Sequence, residues 1–158
     1  MMLTRLAVLA PLLLASTAAC GGEHDHPADA SESVNCALET TADEFVIGLQ
    51  RTGDAGVLAF QLVSLAPAPP ARGDNDWVMA ITATGGAPIT DATIYATPFM
   101  PKHQHGTPID VAITALPIAG QYALSPVNLW MPGLWETTIE VSSPAGTDSV
   151  VFRACIPG

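Results

Sequence analysis

The segment Trp77-Val78-Met79-Ala80-Ile81-Thr82-Ala83-Thr84 alternates larger apolar residues with smaller or polar ones, at a period close to two. The segment Leu134-Trp135-Glu136-Thr137-Thr138-Ile139-Glu140-Val141 has a similar pattern. Side chains two residues apart lie on the same face of a strand, and β-branched and aromatic residues favour strands. Both segments are therefore predicted to be strands with one buried face.

Short apolar or alternating runs of this kind recur along the chain, each bounded by Gly, Pro, Asp or Ser. They cover residues 45–49, 57–65, 77–84, 92–98, 109–115, 121–124, 134–141 and 149–155. No long stretch has the period of an amphipathic helix, and the proline-rich residues 66–73 are predicted to form a loop. About seven strands at spacings near ten residues predict an all-β fold, an immunoglobulin-like antiparallel β-sandwich.

Residues 100–106 carry the most informative chemistry, because Met100, His103 and His105 fall within six positions of one another. Thioether sulfur suits Cu(I), and imidazole suits copper, zinc and nickel. On an extended backbone, the side chains of His103 and His105 would project from the same face. The segment is predicted to bind metal. The alternative is a polar surface loop whose histidines are solvated, since short motifs of this kind are weakly specific.

Strand connectivity predicts a fourth ligand. Connections between successive antiparallel strands alternate between the two ends of a sandwich, so every second loop lies at the same end. Three loops are predicted to share an end: residues 67–74, 98–108 and 125–133. The third loop contains Met131, which completes a predicted copper site, with Cu(I) favoured, formed by Met100, His103, His105 and Met131. Each methionine has an alternative role as core filler beside an aromatic neighbour.

The N-terminal residues predict export. Residues 1–19 combine one basic residue, an apolar run and small residues, as a signal peptide does. Thr17-Ala18-Ala19-Cys20 resembles a bacterial lipobox, which implies cleavage before Cys20 and lipid attachment to it; the alternatives are simple cleavage or an uncleaved anchor. Residues 20–35 are predicted to be a flexible tether, and Gly21 mildly favours the outer membrane. Within the tether, His24 and His26 are possible auxiliary metal ligands or solvated side chains.

Cysteine count and charge set further bounds. With Cys20 lipidated, Cys36 and Cys155 remain as an even pair in an oxidising compartment and are predicted to form a disulfide, with metal binding by the two thiolates as the alternative. Residues 36–158 are long enough for one domain. The chain has fifteen Asp and Glu against five Lys and Arg. So acidic a surface repels nucleic acid, which is therefore excluded as a partner.

Three stretches resemble one family. Residues 91–101, 103–108 and 128–136, with their paired Met-Pro motifs, look like the YtkA-like domain, which is related to the FixH group of small exported or membrane-anchored β proteins. The resemblance covers roughly residues 76–151. It implies an immunoglobulin-like sandwich and an association with bacterial copper handling or oxidase maturation. Lys102 departs from the expected pattern, because it places a cation inside the proposed metal loop.

The function predicted from these observations is that of a periplasm-facing, lipid-anchored copper-binding protein, acting as a chaperone, buffer or delivery factor. Its expected partners are the metal ion, the membrane through its lipid and a protein of the cell envelope. The alternative is a protein-interaction module of the cell envelope that uses the same loops without metal. An enzyme is not predicted, because the chain has no Gly-x-Ser-x-Gly elbow and no free cysteine paired with a histidine.

Overall fold

The structure, a computed structural model, describes residues 34–158. The predictions for the signal peptide, for lipidation of Cys20 and for His24 and His26 lie outside these residues. The described elements are a 3-10 helix at Cys36–Leu38 and nine strands: β1 Gln50–Thr52, β2 Leu58–Ala66, β3 Gly73–Ala83, β4 Thr93–Met100, β5 His105–Gly106, β6 Ala112–Ala115, β7 Gln121–Leu129, β8 Gly133–Ser143 and β9 Gly146–Ile156. No helix in this part of the chain has the length and apolar character needed to cross a membrane.

The strands form two antiparallel sheets, which confirms the predicted all-β sandwich. One sheet has five strands in the order β1-β2-β3-β7-β6, and the other has four in the order β5-β4-β8-β9. Burial alternates along β8, where Trp135, Ile139 and Val141 face the core, and β3 buries Trp77 and Met79 in the same way. Complete burial of one such side chain stabilises the folded state by roughly 1.5–3 kcal/mol. The buried faces of β3 and β8 therefore contribute a substantial part of the stability of the core.

Several details differ from the prediction, and the three-residue strand β1 lies outside all the predicted runs. Residues 45–49 are not a strand. Phe45 packs against Trp77 and Phe152, and Leu49 also packs against the core, whereas Val46 and Ile47 between them are exposed, so the inward-facing residues are four apart rather than two. Residues 125–129, predicted as loop, extend β7, and the shortened loop spans residues 130–132. The two-residue strand β5 was not predicted, because two residues are too few to display an alternation.

The predicted disulfide is confirmed and closes one open side of the sandwich. Cys36 and Cys155 are bonded, with their Cα atoms 5.6 Å apart. Nearby, the Asp43 N–H donates to the Arg153 carbonyl (2.8 Å), and the Arg153 N–H donates to the Asp43 carboxylate (2.8 Å). The N-terminal segment therefore covers part of the edge of β9, an arrangement that protects an edge strand from pairing with another chain.

Asp148 organises the turn that precedes β2. The residue is 3% exposed, and its carboxylate accepts hydrogen bonds from four backbone N–H groups, at distances of 2.8–2.9 Å; the donors are Ala55, Val57, Leu58 and Ser149. Burial, the largest single influence, raises the pKa of this carboxyl, but the four donors together outweigh burial and hold the pKa below its ordinary value. The charged form of Asp148 therefore stabilises the fold.

Candidate metal centre

A tight turn between β4 and β5 brings the two loop histidines together. The His103 N–H donates to the Met100 carbonyl (3.2 Å), and Gln104 takes a positive φ of 53°. The backbone is therefore not extended here, and the prediction that an extended backbone directs both imidazoles to the same face is wrong. The turn nevertheless places the His103 and His105 ring centroids 5.8 Å apart.

The His105 imidazole is held on three sides. Its Nδ1 lies 3.0 Å from the Gly106 carbonyl, and since a carbonyl can only accept, Nδ1 carries the proton. Its ring stacks on Trp130, with centroids 5.2 Å apart and planes 25° apart, and meets the edge of Trp135 at 6.1 Å. In this tautomer Nε2 keeps its lone pair, which is the state needed for a metal-binding nitrogen.

The three loops predicted to share an end do meet. The Arg72 Nε in the β2–β3 loop donates to the Trp130 carbonyl (2.8 Å), and the Trp130 Nε1 donates to the Gly106 carbonyl (3.4 Å). Trp130, which is 40% exposed, therefore links the loop before β8 both to the loop before β3 and to the histidine turn. The antiparallel connectivity predicted this juxtaposition correctly.

The two methionines lie at the same end of the sandwich but in different surroundings. Met100 pairs directly with His105, so their side chains project from the same face of the sheet. Met100 is fully buried, and its methyl carbon packs over Gly133 so closely that a Cβ there would lie 2.2 Å from it. Met131 is half-buried in the short loop before β8, and its carbonyl accepts a hydrogen bond from the Trp135 Nε1 (2.9 Å).

A polar network below the histidine turn was not predicted from the sequence. The Thr107 hydroxyl donates to the Asn128 Oδ1 (3.1 Å), and the Asn128 Nδ2 donates to the Asp74 carboxylate (2.5 Å). Asn128 is only 8% exposed. The nearest available signal was a polar residue beside the apolar run Leu129-Trp130-Met131, which is too common a pattern to indicate a network.

The spacing of the imidazoles fits a shared metal ion. An imidazole nitrogen binds a metal at about 2 Å, so two rings that share one ion have centroids no more than about 6 Å apart. The observed 5.8 Å lies within that limit. In residues 34–158, no group of three or more His, Cys, Asp or Glu side chains could hold a metal ion. Further donors from this region would therefore be the thioethers of Met100 and Met131.

Exposed groups surround the two rings. Trp130, which is partly exposed, stacks on the His105 ring and is its apolar cover, and Lys102 lies exposed in the turn itself. An apolar cover restricts access of water to a site beneath it. The arrangement is a small, partly covered nitrogen donor pair at one end of a rigid sandwich.

Comparison with known proteins places this region within one family. The family described as YtkA-like matches residues 53–140, which is more than half of the chain and runs from the end of β1 into β8. The match includes the four predicted metal ligands and excludes both disulfide cysteines. Neither the comparison with curated proteins nor the comparison with solved structures found a match. On the extent of the family match, this chain belongs to the YtkA-like family.

Proposed function

We propose that this protein is an exported copper carrier that binds Cu(I) through a loop site at one end of its sandwich. The observation that carries the proposal is the pair of imidazoles 5.8 Å apart, with the Nδ1–H of His105 committed to the Gly106 carbonyl. That hydrogen bond leaves Nε2 of His105 as a donor. His103 and His105 are the primary ligands, and Met100 and Met131 supply sulfur.

The donor set favours Cu(I) over zinc. A structural zinc site needs four ligands, usually Cys and His, and the described residues hold no such group. Thioether sulfur is a soft ligand and suits Cu(I). Met100 lies on the same face of the sheet as His105, which is the side on which a sulfur ligand to this imidazole's metal ion would be needed.

A carrier must also release its metal. His103 is on the turn between β4 and β5, and His105 is the first residue of β5; loops on a rigid scaffold commonly present exchangeable chemistry in this way. We further propose that Cys20 carries a lipid and that the protein faces the periplasm, with an outer-membrane location slightly favoured. His24 and His26 are proposed as auxiliary ligands, and an envelope protein is proposed to receive or supply the copper.

The test is an anaerobic Cu(I) titration against a competing chelator, using the chain from Cys20 onward with Cys20→Ser. We expect one-to-one binding that His103→Ala/His105→Ala weakens by more than about 100-fold, because loss of ligands exceeds the 10–100-fold typical of residues that only support them. His24→Ala/His26→Ala removes two imidazoles from outside the loop and tests the auxiliary role, for which the loss of affinity should be much smaller than for the loop variant.

The sulfur donors are tested separately. Met100→Leu and Met131→Leu each preserve side-chain volume and remove a thioether, and each should weaken Cu(I) binding while zinc affinity changes little. A wild-type chain that fails to compete for copper would refute the carrier function and leave the protein-interaction module. Metabolic labelling with a fatty acid, compared between the full-length chain and Cys20→Ala, tests the lipid anchor independently.

A further inference from the structure

We infer that Asn128 is a positioning residue for the His105 imidazole, an inference that rests on the proposed function for its metal readout. Asn128 lies in β7 of the five-stranded sheet, whereas His105 lies in β5 of the four-stranded sheet. One side-chain hydrogen bond of Asn128 stays within its own sheet, to Asp74 of β3, and the other reaches Thr107, which directly follows β5. Its role is to hold the peptide that orients the metal-binding ring.

The first step is that Asn128 has a single satisfied orientation. A carboxylate only accepts, so the amide Nδ2 faces Asp74 (2.5 Å), which leaves Oδ1 to accept from the Thr107 hydroxyl (3.1 Å). A buried amide without such partners would cost free energy. Asn128 therefore acts as a fixed connector from β3 to the residues that follow β5.

The second step links this connector to the imidazole. The Thr107 hydroxyl also accepts the Ile109 N–H (3.3 Å), so it is fixed by a donor on one side and an acceptor on the other. Thr107 directly follows Gly106, whose carbonyl accepts from the Nδ1 of His105. Holding Thr107 therefore holds the carbonyl that sets the tautomer and direction of the ring.

The third step is that a second link reaches the same carbonyl from another direction. The Trp130 Nε1 donates to the Gly106 carbonyl, and the Trp130 carbonyl is in turn held by Arg72. The tryptophan link is long, at 3.4 Å, and its residue is 40% exposed, whereas Asn128 is nearly buried. The more protected link, through Asn128, is expected to dominate the positioning.

The test uses reciprocal variants in the chain from Cys20 onward with Cys20→Ser. Asn128→Asp removes the amide donor and opposes two carboxylates, and we expect it to weaken Cu(I) binding by about 10–100-fold, as loss of a residue that orients a metal ligand does. Asp74→Asn/Asn128→Asp restores the series of hydrogen bonds, because an amide at position 74 donates to a carboxylate at position 128, which still accepts from the Thr107 hydroxyl. Its affinity should return to within a few-fold of wild type. Asp74→Asn alone is the matched control for lost charge.

A metal-free readout separates this inference from the proposed function. Nitrogen NMR of the His105 imidazole should report the Nδ1–H tautomer in wild type and in the reciprocal double variant, and a mixture of tautomers in Asn128→Asp. If wild type binds no copper, the carrier function fails while the tautomer still tests Asn128.

The inference is refuted if folded Asn128→Asp keeps both the wild-type tautomer and the wild-type copper affinity. Should Asn128→Asp not fold, Thr107→Val removes the hydroxyl that links Asn128 to the residues after β5, with a side chain of equal shape, and the same two readouts apply.

Discussion

Gly133→Ala tests the packing that places the Met100 side chain below the candidate site. Gly133 has a φ of 132°, which L residues rarely adopt, and an added Cβ would lie 2.2 Å from the Met100 methyl carbon. The backbone strain costs roughly 1–3 kcal/mol. Forcing the buried methionine to repack costs about 1–3 kcal/mol more. We therefore expect Gly133→Ala to lower the free energy of unfolding by the sum of the two, partly offset by about 0.4–1 kcal/mol from the less flexible unfolded chain.

Gly48→Ala separates the two costs. Gly48 also has a positive φ, of 93°, but a Cβ there meets no atom within 4 Å. Urea unfolding of both variants, at unchanged m value, should place Gly133→Ala about 1–3 kcal/mol below Gly48→Ala. In a Met100→Ala background the difference should disappear, because the colliding methyl is gone. Equal costs for the two glycine variants in the wild-type background would refute the packing of Met100 against Gly133.

Two further predictions concern the parts of the fold away from the candidate site. Asp148→Asn should lower the free energy of unfolding by roughly 2–5 kcal/mol, because the amide nitrogen would face two of the four N–H donors and leave them unsatisfied. The pKa of Asp148 is lowered on folding, so its stabilising contribution is present above the unfolded pKa of about 3.9 and is lost as pH falls through the lowered pKa. The urea midpoints of wild type and variant should therefore converge below about pH 4, and a gap that stays constant with pH would contradict the assignment. Cys36→Ala/Cys155→Ala opens a closure spanning 119 residues and should cost up to about 5 kcal/mol in the chain-entropy treatment; dithiothreitol should destabilise wild type to a similar extent and leave the variant unchanged.

The strands that could be predicted are those whose two faces have different surroundings. In β8 a buried residue alternates with a more exposed one, so the sequence carries the period directly. Residues 45–49 were wrongly predicted as a strand, since Phe45 and Leu49 pack against the core at a spacing of four while Val46 and Ile47 between them are exposed. An apolar run reports that something is buried there, but it does not report a backbone conformation. The role of Asp148 was beyond prediction, because its partners are N–H groups up to 93 residues away.

In the candidate site, the order of the strands determines which loops meet, whereas the strand register determines which side chains face inward. The meeting of the loops around Arg72, Gly106 and Trp130 was predicted by counting alternating connections, and the unpredicted strand β5 does not alter that count because its two residues lie within the predicted loop 98–108. Whether Met100 or its neighbour Phe99 faces inward depends on a shift of one residue, and both are apolar, so the sequence is silent on the choice. The structure places Met100 inward, and a thioether is apolar enough to fill the core yet soft enough to bind copper. Burial of Met100 is therefore compatible with both roles, and only its replacement by an apolar residue of equal volume distinguishes core filler from ligand.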